Sequence, residues 1–217
     1  VRPHHPDVWL LGEVLHGDYC TFVTESGIDS VTQYELWKAI WSSINDRNFF
    51  ELDHALRRHN QFLDAFLPNT FVGNHDVTRI ASRVGADGAI LALAILMTVG
   101  GIPSIYYGDE QGYVGVKEER LGGDDDIRPV FPSSPSQFSP LGAHLLRAHQ
   151  DLIGLRRRHS WLVRARTEPL HLENERLIYR SFAPDGSTHL DVEIDLAGSP
   201  AAIIRDDSGE ELWSHHS

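Results

Sequence analysis

Phe71-Val72-Gly73-Asn74-His75-Asp76-Val77-Thr78-Arg79 begins apolar, breaks on a glycine and turns polar over three consecutive side chains. Pro68-Asn69 stands before it as a breaker, so residues 70–73 read as a short strand. An unbroken apolar run of that length suits a strand covered on both faces, as in a parallel sheet. The polar cluster then lies where the chain leaves the sheet. Val8-Trp9-Leu10-Leu11-Gly12-Glu13-Val14 repeats the design and ends on a carboxylate. So does Ile102-Pro103-Ser104-Ile105-Tyr106, which runs into Gly108-Asp109-Glu110.

Helical periods separate these runs. Residues 29–34 form a weaker strand candidate, and Leu36, Trp37, Ile40, Trp41 and Ile44 then recur at helical spacing. A second helix is expected over 49–66, and an almost wholly apolar one over 86–99, stopped by Gly100-Gly101. Strand, helix, strand, helix, strand is the rhythm of a parallel α/β sheet. Residues 108–139, rich in Gly, Pro, Asp and Ser, form a long loop of the kind that carries function or disorder. A helix over 141–159 closes this part.

Near Trp161 the pattern changes. Residues 162–166, 169–172, 177–182 and 189–194 read as short strands with turns at Asn174-Glu175 and Asp185-Gly186. Leu190, Val192 and Ile194 alternate with Asp191, Glu193 and Asp195, as in a strand with one wet face. The division places an α/β unit in residues 1–160 and a small antiparallel β domain, a shortened β-sandwich, in 161–217.

Composition narrows the functions. The net charge of −12 opposes a nucleic-acid partner, which needs a basic footprint, and fits a neutral substrate. The longest apolar run, 89–99, falls short of the ~20 residues of a membrane span, so no membrane partner is expected. One cysteine, Cys20, allows no intrachain disulfide. Acidic charge and a lone thiol point toward a cytoplasmic location. Val1-Arg2-Pro3-His4-His5-Pro6 has no signal-peptide character and enters a strand within a few residues, as a cut through a larger fold would.

In a (β/α) barrel the C-terminal ends of the strands converge on one rim. That rim would unite Glu13 with Asp76, which lie about sixty residues apart. Paired carboxylates there suit glycoside hydrolysis, where one protonates the leaving oxygen. The motifs resemble the α-amylase family of glycoside hydrolases, family 13. Residues 71–79 resemble its seventh-strand motif, Gly12-Glu13-Val14 its fifth, and residues 101–112 its eighth strand and following loop. Leu152-Ile153-Gly154-Leu155-Arg156-Arg157-Arg158-His159 is similar to its last barrel helix. The resemblance covers roughly residues 8–160 in order and implies strands five to eight of a TIM barrel.

The resemblance also implies roles. Glu13 would be the general acid/base, carrying its proton at the working pH, and Asp76 the third carboxylate, favouring the positively charged transition state. His75 would bind sugar hydroxyls, with Asn74 and Arg79 supporting Asp76 or the substrate. Taken singly, Glu13 also reads as a capping or salt-bridging carboxylate and His75 as a structural histidine. Tyr106 and Tyr107 fit either sugar stacking or core packing. Asp109-Glu110 reads as structural or substrate-lining.

The family's nucleophilic aspartate lies on its fourth strand, in an Arg-x-Asp motif absent ahead of Glu13. Asp7 sits at the entry of its strand, the wrong end for that task. The implied partner is an α-linked glucan or glucoside, and the chain alone is expected to be inactive. Four strands cannot close a barrel, so open edges should favour self-association or pairing with a missing N-terminal half. No cofactor is expected. Asp124-Asp125-Asp126 could hold Ca²⁺, but the family's usual calcium ligands lie mainly in upstream segments. A non-catalytic carbohydrate-binding or interaction subunit on the same fold is the alternative.

Overall fold

A computed structural model describes residues 1–217. The first part alternates strands β1 (Leu11–Gly12), β2 (Ser30–Val31), β3 (Asn69–Phe71) and β4 (Ile102–Ser104) with helices α1 (Tyr19–Ser26), α2 (Tyr34–Asn45), α3 (Phe50–Phe62) and α4 (Ile80–Thr98). Helix α5 (Ala143–Arg158) follows the long loop. β1 pairs with β2 and β3 with β4, both in parallel, and a parallel bridge from Thr32 to Asn69 joins the pairs. The four strands thus stand in sequence order, with β1 and β4 as edges.

The run expected as a strand over 8–14 is regular only at Leu11–Gly12. β1 has a partner on one side alone, and its ladder continues through side chains, as where Val14 N donates to Thr32 Oγ1 at 3.0 Å. Helix α1 went unrecognised in the sequence; Asp18 caps it by accepting from Thr21 N, and Gly27 ends it in the left-handed conformation.

Helix α4 supplies the centre of the core. Every residue from Gly88 to Thr98 is buried. Gly85, with φ at +74°, breaks this helix from the short turn before it, a conformation costly for any residue with a Cβ. The 19-residue span of α4 meets the length and hydropathy of a membrane helix, but here that apolar surface packs against α2, α5 and the C-terminal sheet.

Of residues 162–166, expected as a strand, 162–164 belong instead to a 3-10 turn, Ser160–Arg164, that buries Leu162 at the corner between the two parts, and only Arg166 is in a strand. Five antiparallel strands then follow as a meander: β5 (Arg166–Leu172), β6 (Arg176–Phe182), β7 (His189–Asp195), β8 (Ala201–Asp206) and β9 (Glu211–His216). β8 and β9 were not foreseen. The five strands make one sheet, so the inner face expected to meet a second sheet of a sandwich packs on helices instead. A single cluster of 34 buried residues runs from Leu36 in α2 through α4 and α5 to Ile204 in β8. Arg156 reinforces the join. Its buried guanidinium donates to the carbonyls of Met97, Val99 and Gly101, which satisfies the end of α4.

Candidate active site

The polar groups predicted at strand ends meet on one rim. Glu13 is one residue past β1, Asn74-His75-Asp76 follow β3, and Tyr106 follows β4. Glu13, Asn74, His75 and Tyr106 line a cavity of about 360 Å³ together with Leu11, Thr32, Phe71 and Ser104, and Asp76 stands just outside that lining. A larger hollow of about 510 Å³ lies over α2 and α3, at Trp37, Lys38, Glu51 and His54, outside this rim. The rim cavity is the candidate site because it alone gathers the strand-end carboxylate Glu13 with Asn74 and His75.

Tyr34 holds the two motifs together. Its hydroxyl donates to Glu13 Oε1 at 2.9 Å and accepts from Asn74 Nδ2 at 2.7 Å. Asn74 Oδ1 in turn accepts from Asp76 N at 2.9 Å, which shapes the turn after β3. Burial, then the Glu13 carboxylate, pushes the Tyr34 phenol far above its usual range, so it stays a proton donor. His75 Nε2 stands 3.8 Å from Glu13 Oε2, and both side chains are about half exposed toward the cavity. Glu13 therefore has one oxygen anchored and one facing open space.

Asp76 pairs with Lys117, and Arg128 Nη2 lies 3.9 Å from the same oxygen, Oδ1. The hydrogen bond from Lys117 holds this carboxyl below the usual range, against the opposing effect of burial. Asp7 is exposed in a turn ahead of β1, at the opposite end of the strand.

Arg79 departs from its expected role. Its side chain is fully buried, 3.0 Å from Asp109 Oδ1, with the guanidinium 4.2 Å from the centre of the Tyr106 ring. It reaches neither the cavity surface nor Asp76. A buried cation needs a carboxylate partner, and Asp109 supplies it. Gly73 makes room, since a Cβ there would collide with the Asp109 carboxylate. Arg79 and Asp109 thus lock the loop after β3 to the loop after β4, with Tyr106 stacked on the lock and lining the cavity. Within the acidic run, Asp124 pairs with Arg128 at 2.7 Å.

Sequence reasoning missed Tyr34 and Lys117. Tyr34 is the last residue of the weak second strand candidate, so the strand-end rule would have found it. Lys117 lies in the long loop and carries no local mark.

A parallel α/β half-barrel with a carboxylate-bearing rim and an antiparallel sheet behind it defines the architecture of a barrel glycosidase. Residues 1–164 match the α-amylase catalytic domain, and the chain belongs to the α-amylase family. It is 35% identical over 136 residues to alpha-amylase 3 of Dictyoglomus thermophilum, a match covering 58% of this chain and 26% of that protein. It is 26% identical to neopullulanase 2 of Thermoactinomyces vulgaris over 98% of this chain and 36% of that one. The fold is shared with the cyclic α-maltosyl-(1→6)-maltose hydrolase of Arthrobacter globiformis, with a TM-score of 0.75 at 16% identity, over 100% of this chain and 51% of that one. The chain therefore spans about a quarter to a half of the length of these proteins.

Proposed function

We propose that this chain is the acid/base-bearing part of a retaining α-glucan-active glycoside hydrolase or transglycosylase, and that it needs a nucleophile from residues outside these 217. One observation carries the reading: Glu13, Asn74 and His75, from strands distant in sequence, line one cavity, and a single tyrosine hydroxyl joins Glu13 to Asn74. In this reading Glu13 protonates the glycosidic oxygen through its free oxygen and then takes a proton from the attacking water or sugar hydroxyl. Tyr34 keeps the other oxygen in place. His75 binds hydroxyls of the sugar being cleaved. Asp76, ionised, faces the positive charge that develops on the ring.

Retention requires a second carboxylate about 5–5.5 Å from the acid, on the opposite face of the sugar. Asp76 is tied to Lys117 and Asp7 lies at the far end of its strand, so neither fills that place. The open side of the cavity, beyond the free edges of β1 and β4, is where four further strands would bring it. The names of the relatives, an amylase, a neopullulanase and a maltosyl-maltose hydrolase, support an α-linked glucose polymer or oligomer as substrate.

The test is hydrolysis of an aryl α-maltoside by the chain alone and by the chain co-expressed with a polypeptide carrying four upstream barrel strands and an Arg-x-Asp motif. The expected result is turnover only in the pair, reduced about 10²–10⁴-fold by Glu13→Gln. Turnover by the chain alone, or an active pair indifferent to Glu13→Gln, sinks the reading.

A further inference from the structure

The geometry points to Lys117 as a positioning residue that fixes the Asp76 carboxylate, delivered to it by a loop strapped across the start of α4. Lys117 lies 41 residues beyond Asp76 in the long segment after β4. Three hydrogen bonds bind that segment to the turn following Asp76 and to the first turn of α4. Arg79 N donates to Gly115 O at 3.0 Å, Gly115 N donates to Ser82 Oγ at 2.8 Å, and Lys117 N donates to Thr78 Oγ1 at 3.0 Å. A loop held this way has little freedom to swing, and the lysine side chain has one direction in which to meet a carboxylate. It meets Asp76, with its own side chain only 23% exposed.

The second cation nearby has other duties. Arg128 donates through Nε to His75 O at 2.8 Å and pairs with Asp124 at 2.7 Å, so its 3.9 Å approach to Asp76 is secondary. The remaining charged or titratable neighbours of the Asp76–Lys117 pair are His75, Tyr34, Asp124 and Glu119. Both cations approach Oδ1, which leaves Oδ2 for a ligand. An anchored oxygen beside a free one is the arrangement already seen at Glu13, where Tyr34 is the anchor. The two carboxylates are each held by one oxygen and offered by the other. Pre-orientation of this kind lets a carboxylate act on a developing charge without reorganising. The ion pair stands independently of the proposed function; its catalytic value rests on Asp76 being the sugar-facing carboxylate of that reading.

Two measurements separate these parts. The first follows the Asp76 side-chain carboxyl by carbon NMR through a pH titration of the 217-residue chain, with Lys117→Met, Lys117→Gln and Lys117→Arg beside the parent. The Asp76 midpoint is expected to rise in Lys117→Met and Lys117→Gln and to return in Lys117→Arg. An unchanged midpoint in folded Lys117→Met or Lys117→Gln overturns the pairing. The second uses the pair of polypeptides that turns over aryl α-maltoside. Lys117→Met is expected to lower kcat about tenfold with a smaller change in KM and to move the acid limb of kcat/KM upward in pH, both reversed by Lys117→Arg. A shifted NMR midpoint with unchanged kinetics overturns the positioning role while leaving the ion pair intact.

Discussion

The four parallel strands are two or three residues long, whereas the five antiparallel strands run to six or seven. In the C-terminal sheet β6, β7 and β8 are laddered on both sides, and β7 alternates buried and half-buried residues along its length. In the half-barrel, β1 and β4 are laddered on one side, and the chain leaves regular geometry to build the rim. The interrupted region holds the candidate site, while one core cluster spans both regions. Their ion pairs differ as well. Arg180–Asp191 and Arg176–Glu193 lie partly exposed on the outer face of the sheet, while Arg79–Asp109 is sealed beneath the rim.

The largest expected effect tests that contrast in ion pairs. Asp109→Ala leaves the buried Arg79 cation unpaired and should cost about 4 kcal/mol in urea unfolding, with Asp109→Asn costing less because it retains an acceptor. A cost near that of a surface pair would show the lock to be solvated and remove the distinction.

Next is the shared core. Leu93→Ala in α4, at a fully buried position, should cost about 3.5 kcal/mol. Because one cluster joins both regions, tryptophan fluorescence and far-UV circular dichroism should report one coincident transition. Two separate transitions would make the sheet an independent unit.

The half-barrel also contains an acid-sensitive joint. His59, fully buried in α3, donates from Nε2 to Gly100 O at 3.0 Å and can accept from Gln33 through Nδ1. Burial holds its imidazole down at about 4, against an ordinary 6.5. The unfolded chain therefore takes the proton first. This contribution is intact above about pH 6.5 and is lost as pH falls through about 4. Asp109 acts oppositely: burial pushes it up to about 6, so its contribution is present below 3.8 and lost as pH rises through about 6. Subtracting the stability profile of His59→Gln from that of the parent isolates the histidine, and a difference that falls by on the order of 3 kcal/mol from pH 7 to 4 is expected. A flat difference would mean that His59 is charged, or wet, in the folded protein.

The smallest effect belongs to the sheet surface. Asp191→Ala should cost under about 1 kcal/mol, and less in high salt, since its partner Arg180 is solvated.

Much of this was legible in the residues. The α/β rhythm, the change to antiparallel strands near Trp161, and the placing of Glu13, Asn74, His75 and Asp76 at strand ends follow from hydrophobic period and from what comes next in the chain. Both are local properties. Strands β8 and β9 were missed because Ala201, Ala202 and Ser214 give little apolar contrast, and their pairing is imposed by neighbours, β8 by β7 and β9 by β8. The turn at 160–164 looked like a strand because its apolar residues serve a corner rather than a face.

Sequence by itself determined which groups reach the rim, because a strand's last residue and its neighbours go wherever the strand ends. Tertiary structure alone decided what holds those groups and which of them face the cavity. Arg79 sits beside the rim motif in sequence yet turns inward to Asp109, 30 residues on, while Lys117 comes from 41 residues away to meet Asp76. Such pairings are set by the return path of a loop and by the need of a desolvated charge for a partner, and neither leaves a periodic trace in the chain.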